Sequence, residues 1–168
     1  MAMDTLTGNA IVCGGAWVLS ATTDCYQCGA NTPVFTILLA GPFVLHGEPD
    51  IAVQPDDGGV LTVTMSGRLP AMVQASLDSQ SSGRFRLDRS HTAGLSYLMN
   101  HCAACNTKLG DFYLDRPGEV FFPLDEGGFA GLSGSYIAGP LTFVEPCCGY
   151  NGALAQWVGE QTQRGRDE

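Results

Sequence analysis

A chain of 168 residues, 45% hydrophobic and with slightly positive mean hydropathy, has the composition of one globular domain able to bury its own core, which excludes a disordered chain. The formal net charge is −9 and no Lys or Arg precedes Arg68, so a basic stripe for nucleic acid is missing and a basic protein partner is the better electrostatic match. Seven cysteines cannot all pair within the chain, no basic residue precedes the apolar residues 9–21 as a leader requires, and no run reaches the roughly 20 apolar residues that cross a bilayer. A soluble, reducing, cytoplasmic setting without a membrane partner is therefore expected, where paired cysteines serve metals rather than disulfides.

In chain order, residues 1–10 carry little pattern. Ile11-Val12-Cys13 and Ala16-Trp17-Val18-Leu19 read as strand segments joined at Gly14-Gly15 by a bulge or turn, with Cys13 a small core residue. Cys25-Tyr26-Gln27-Cys28-Gly29 follows, and then a strand from Thr32-Pro33 to Leu39 that stops at Gly41-Pro42 and resumes over Phe43-Val44-Leu45. Turn formers surround Ile51-Ala52-Val53, and Val60 to Met65 alternates as a half-buried strand does. Pro70 opens a short helix with Met72, Val73, Ser76 and Leu77 on one spacing; Phe85 to Arg89 alternates again.

The segment Leu95 to Met99 leads into Cys102-Ala103-Ala104-Cys105-Asn106, and strands are expected over Asp111 to Leu114 and Val120 to Leu124. Five glycines between 125 and 140 imply irregular backbone, Leu141 to Val144 a last strand, and Ala153 to Val158 a short helix docking Leu154, Trp157 and Val158. Cys147-Cys148 reads as buried small side chains near a turn. The fold class is mainly β (α+β): antiparallel strands and hairpins around a cysteine site, with one or two short helices. Residues 1–163 form one zinc-stabilised domain and 164–168 a disordered tail.

Each C-x-x-C pair has the spacing that lets neighbouring thiolates grip one tetrahedral ion. Gly29 and Asn106, after each second cysteine, tolerate the left-handed backbone that a tight turn under a metal needs. Strand, knuckle, strand, twice over, resembles the zinc-ribbon and treble-clef class of tetracysteine sites. The resemblance implies Cys25, Cys28, Cys102 and Cys105 as ligands of one structural zinc, and nothing catalytic. It departs from that class in separation: residues 29–101, 73 in all, lie between the pairs where a compact ribbon has roughly 15 to 20. A folded insertion must bring the halves together. The stretch from Asn100 to Phe112 also resembles an uncharacterised group of bacterial proteins, which implies no activity.

A four-cysteine shell leaves zinc no open position, so the expected function is a protein–protein interaction module, an adaptor or an inhibitor or immunity-type protein. Phe121, Phe122 and Phe129 are candidate anchors. The alternative is a zinc hydrolase or deaminase using His46 and Glu48, whose His-x-Glu pattern resembles that of zinc deaminases; Pro49 and Asp50 sit where that pattern wants a helix. A second alternative, a nucleic-acid-binding zinc ribbon, would use Arg84, Arg86 and Arg89, which also read as a solvated strand face with Asp88 as counter-charge. His101 adjoins a ligand and is expected to support rather than replace it. The acidic pairs Asp56-Asp57 and Asp125-Glu126 read as solvated loops.

Overall fold

The computed structural model describes residues 9–48, 50–51 and 59–164; Asp56-Asp57, Ala52-Val53, residues 1–8 and residues 165–168 lie outside them. The elements in chain order are β1 (Ala10–Asp24), β2 (Asn31–His46), β3 (Asp50–Ile51), β4 (Val60–Thr64), α1 (Ala71–Ser81), β5 (Phe85–Ser90), β6 (Leu95–His101), β7 (Lys108–Leu109), β8 (Ser133–Val144), β9 (Cys147–Tyr150) and α2 (Gly152–Arg164). A six-stranded sheet has the order β3-β9-β4-β2-β1-β8, antiparallel except for the β3–β9 pair, and a three-stranded antiparallel sheet has the order β5-β6-β7. The fold is mainly β with two helices. No helix among the described residues is long and apolar enough to cross a membrane.

The hairpin β1–β2 is the frame. It runs unbroken from the pair Ala10–His46 to the pair Asp24–Asn31, and Gly14-Gly15 makes a register shift between Cys13 and Gly15 rather than an interruption. In β2 the run Val34 to Leu39 is buried at every position, as expected of a strand covered on both faces. One face packs Val18, Ile37 and Leu39 against Val73 and Leu77 of α1 and Phe85 and Leu98 of the small sheet. The other packs Leu19, Val34 and Leu38 against Leu109, Leu114, Phe121 and, from α2, Leu154 and Trp157.

Helix α1 starts after Pro70 as expected but runs through the polar residues to Ser81, where Ser82 turns left-handed at φ 51°. Its buried side chains are Val73, Leu77 and Ser81, while Met72 faces solvent. Helix α2 reaches Arg164, so the expected tail begins at least one residue too early. Leu154 and Trp157 dock as read. Asn151 starts the helix, its Oδ1 accepting from Leu154 N at 3.1 Å and its Nδ2 donating to Phe121 O at 2.7 Å.

Three stretches differ from the sequence reading. Asp111–Tyr113 is a turn of 3-10 helix rather than a strand: Tyr113 N donates to Gly110 O and Leu114 N to Asp111 O, at 3.0 and 2.9 Å, so the chain curls back at once. Val120 to Leu124 is a turn region held by Phe121 N to Leu114 O at 3.0 Å and Gly118 N to Phe122 O at 2.8 Å. The glycine-rich residues from 133 onward form the long edge strand β8. Those glycines answer to crowding across the sheet: a Cβ at Gly134 would lie 2.7 Å from the Trp157 ring, and one at Gly139 2.6 Å from Gly14 O.

Phe121 is fully buried and belongs to the core, and Phe122 and Phe129 are half-buried, so these three are not the exposed anchors the sequence suggested. The aromatic side chain of Phe121 is buried in the cluster that also holds Leu114 and, from α2, Leu154 and Trp157. Phe121→Ala is expected to cost about 3–5 kcal/mol, the usual penalty for emptying a buried aromatic site, measured as a shift in the chemical denaturation midpoint with unchanged slope.

Candidate metal centre

Two hairpin loops of the same design build the centre. One joins the paired residues Asp24 and Asn31, the other His101 and Lys108, each with six residues between. Their backbone bonds correspond one for one. Cys25 N donates to Ala30 O and Gly29 N to Cys25 O, at 2.9 and 2.8 Å; Cys102 N donates to Thr107 O and Asn106 N to Cys102 O, at 2.9 and 3.0 Å. Gly29 and Asn106 hold φ of 72° and 62°, the left-handed backbone expected of both.

The insertion brings the loops face to face. Asn100 of β6 acts as a surrogate strand: its Oδ1 accepts from Phe35 N at 2.8 Å and its Nδ2 donates to Phe35 O at 2.9 Å, all buried. Leu98 N donates to Ser66 O at 2.9 Å, and Ala103 N, inside the second loop, donates to Thr32 Oγ1 at 2.8 Å beside the first. These bonds fix the small sheet on the large one at the end of the β1–β2 frame where the cysteines lie.

The four sulfurs of Cys25, Cys28, Cys102 and Cys105 lie within 4.8 Å of one another. They meet crosswise, Cys25 with Cys105 at 3.7 Å and Cys28 with Cys102 at 3.8 Å. Four sulfurs about 2.3 Å from a central ion in a tetrahedron stand about 3.8 Å apart, so the spacing fits a metal ion and is too long for a disulfide. Cys25 and Cys102 are buried, Cys28 and Cys105 exposed. The Cys102 thiol is pushed down to about 6 by the Cys105 backbone N–H and by that of Ala104, and Cys105 is lowered by its hydrogen bonds with Thr107. At Cys28 the Ala30 N–H works downward, but sharing protons with Cys105 and the other sulfurs holds the thiol at about 11. Two thiols are thus disposed to lose the proton that a metal must displace.

His101 lies behind the second loop and is not a ligand. Its ring is buried, with Nδ1 3.1 Å from Arg84 O and Met99 O and Nε2 2.9 Å from Asp88 Oδ2. All these neighbours are oxygen acceptors within hydrogen-bond distance of the ring nitrogens. The His101 contact, the Arg89 N–H and Lys108 hold the Asp88 carboxyl well below the usual carboxylate range. Asp88 therefore serves His101 and Lys108 rather than neutralising the three arginines. Arg86 reaches Asn106 Oδ1 at 2.7 Å, bracing the second loop, and Arg89 is exposed.

His46 and Glu48 do not join the cysteines. His46 pairs with Ala10 at the opposite end of the frame, roughly 45 Å of strand away, and Glu48 is exposed beside Asn9, whose Oδ1 accepts its N–H at 2.8 Å. His46 therefore lies far from the Cys-x-x-Cys pairs and does not share a metal site with them. Cys13 is a core residue as read, and Cys148 is buried in the same cluster. Asp125 caps a turn of 3-10 helix by accepting from Gly128 N at 3.1 Å.

Around the first loop, Tyr26 stacks on Tyr113 with centroids 4.9 Å apart, and Phe112 meets Tyr113 edge-on at 5.7 Å. All three are exposed, Tyr26 at 57% and Phe112 at 65%. The strand expected over Asp111 to Leu114 gives no sign of this exposure at Phe112 and Tyr113, which comes from the 3-10 turn. The sequence reading also passed over Asp111 and Asp115, whose spacing of four becomes meaningful only on a helical turn. Burial pushes Asp111 up to about 6 against the pull of Met65 N–H, and pushes Asp115 up to about 8, with Asp111 adding repulsion. Between the ordinary aspartate value of 3.8 and about 8 the folded chain thus keeps a proton that the unfolded chain has released, so this group weakens the fold as pH rises across that window. Asp115→Asn is expected to gain thermal stability over the parent progressively from pH 4 to 8 and to level off above, read as the difference in melting temperature.

No protein-family model, curated protein or solved structure matches the chain, so its likeness to tetracysteine zinc sites rests on the two knuckles themselves.

Proposed function

We propose that the protein is a non-catalytic interaction module whose four thiolates hold a structural zinc and whose acidic surface takes up a basic protein partner, as an adaptor or an inhibitor does. The observation that carries this reading is the closed sulfur shell: four cysteines supply every position of a tetrahedral ion and leave none for water or substrate. Zinc suits all-thiolate tetrahedral ligation better than harder cations do. Supporting it are the net charge of −9 and the exposed trio Tyr26, Phe112 and Tyr113, rigid aromatic side chains of the kind enriched at interface centres. The zinc fixes Tyr26 in place, because that residue lies between two of the ligands.

Cobalt substitution tests the closed shell. Tetrathiolate absorption bands that do not change on adding azide or cyanide support a structural centre; bands that shift reveal an open position and contradict it. A second arm addresses binding. A basic partner captured by the parent and lost by the Tyr26→Ser, Phe112→Ser double variant, with zinc content unchanged, supports the interaction reading. Equal capture by both contradicts the role of this surface.

A further inference from the structure

Beside the 3-10 turn at Asp111–Tyr113 opens a hollow of about 390 Å³, walled by Met65, Ala93, Tyr97 and Phe112 and lined also by Asp111 and Asp115. The surface it presents is almost wholly apolar, although Asp111, Asp115, Arg116 and a few hydroxyl-bearing side chains contribute to the lining. Asp111 Oδ2 accepts from Met65 N at 2.7 Å, while Asp115 Oδ1 is buried with no hydrogen-bond partner. The cation lining the same hollow, Arg116, is engaged elsewhere: it bonds Glu119 at 3.1 Å and lies 4.3 Å over the Phe112 ring. Neither carboxyl has an ion-pair partner among the described residues.

Such a pair of carboxyls in a low-dielectric wall is costly for the protein to ionise alone. A cation supplied from outside removes that cost. A hard metal ion is poorly served, because calcium takes six to eight oxygen ligands and the surface the hollow presents is almost wholly apolar. An organic cation is better matched: its charged head answers the carboxyls while its stem covers Tyr97, Phe112 and Met65. The volume is that of a small-molecule site, and the chain's net charge of −9 draws cations toward it.

We propose that this hollow binds an organic cation of the alkylammonium class, its ammonium set against Asp111 and Asp115 and its aliphatic stem along Tyr97 and Phe112. The site uses none of the thiols, so it stands or falls apart from the metal centre.

The test is a titration of the intact, metal-loaded protein with n-butylammonium and with Nα-acetyl-lysine methylamide, following the Tyr97 and Phe112 ring resonances, with n-butanol as the uncharged control. Saturable shifts are expected with the ammonium probes at concentrations at least about tenfold below those needed for butanol, and Asp111→Asn and Asp115→Asn are each expected to weaken binding by about tenfold or more. Tighter binding of butylammonium assigns the site to small amines; tighter binding of the lysine probe assigns it to a lysine side chain. Absence of saturable shifts, equal response to butanol, or unchanged affinity in both Asn variants overturns the proposal. Two separate variants, each checked for parent-like spectra, keep the result readable if one fails to fold.

Discussion

Cys102→Ser is expected to abolish stoichiometric metal binding and to cost at least about 3 kcal/mol, the scale reached when a structural metal or a buried coordinating group is lost. For a domain of this size that is a drop of roughly 6–12 °C in melting temperature. The choice of Cys102 follows from its surroundings: it is buried, its sulfur lies 3.8 Å from that of Cys28, and its backbone N–H and C=O both close the second loop. A hydroxyl there cannot supply a thiolate, and three remaining sulfurs leave a charged, incomplete shell. The chain should nonetheless stay folded, because the cluster on the α1 face contains none of the four ligands, and the opposite cluster, though it includes Cys25 and Cys102, is built mainly from leucine, valine and aromatic side chains. Chelation of the parent should therefore reproduce the loss in stability without producing an unfolded spectrum. Complete unfolding on chelation would show that the sheet alone does not hold the fold.

The second large effect belongs to Asn100→Leu. Leucine fits the volume but leaves both backbone groups of Phe35 buried without partners, since this part of β2 extends beyond its pairing with β4, which covers only Ile37 to Ala40. Each such orphan costs about 1–3 kcal/mol, so a loss of about 2–6 kcal/mol is expected. Because Asn100 sits two residues before Cys102, the same change should also weaken metal affinity, by letting the second loop move relative to the first. Competition with a chromophoric chelator reads that directly. A stability loss with unchanged metal affinity would show that Thr32 and the core alone position the loop.

The two knuckles were legible because their chemistry is local. Ligand spacing, a left-handed residue after each second cysteine and flanking strands all lie within a dozen residues of one another, and the loops at 25–30 and 102–107 match in every backbone bond. The frame was legible for a similar reason: Val34 to Leu39 is apolar at every position but Thr36, the near-continuous run of a strand covered on both faces. What escaped the sequence was set by distant contacts. The glycines of β8 looked like loop markers, yet Gly134 is there for Trp157 and Gly139 for Gly14, residues far along the chain. Asp111 to Leu114 has the composition of a strand but curls, because Asp111 turns its carboxylate to Met65 N and Phe121 folds back to bond Leu114 O. That one misassignment also concealed the exposed Phe112 and Tyr113 and the paired carboxyls. The pairing of Asn100 with Phe35, 65 residues away, leaves no local trace at all.

The central claim is that two loops separated by a 73-residue insertion close over one ion. X-ray absorption at the zinc edge, on protein purified without added metal and quantified by elemental analysis, addresses it most directly. One zinc per chain is expected, with four sulfur neighbours at about 2.3 Å and no nitrogen or oxygen in the shell. A metal-free protein, a shell containing nitrogen or oxygen, or a four-sulfur shell that persists undiminished after removal of Cys25 or Cys102 would contradict it.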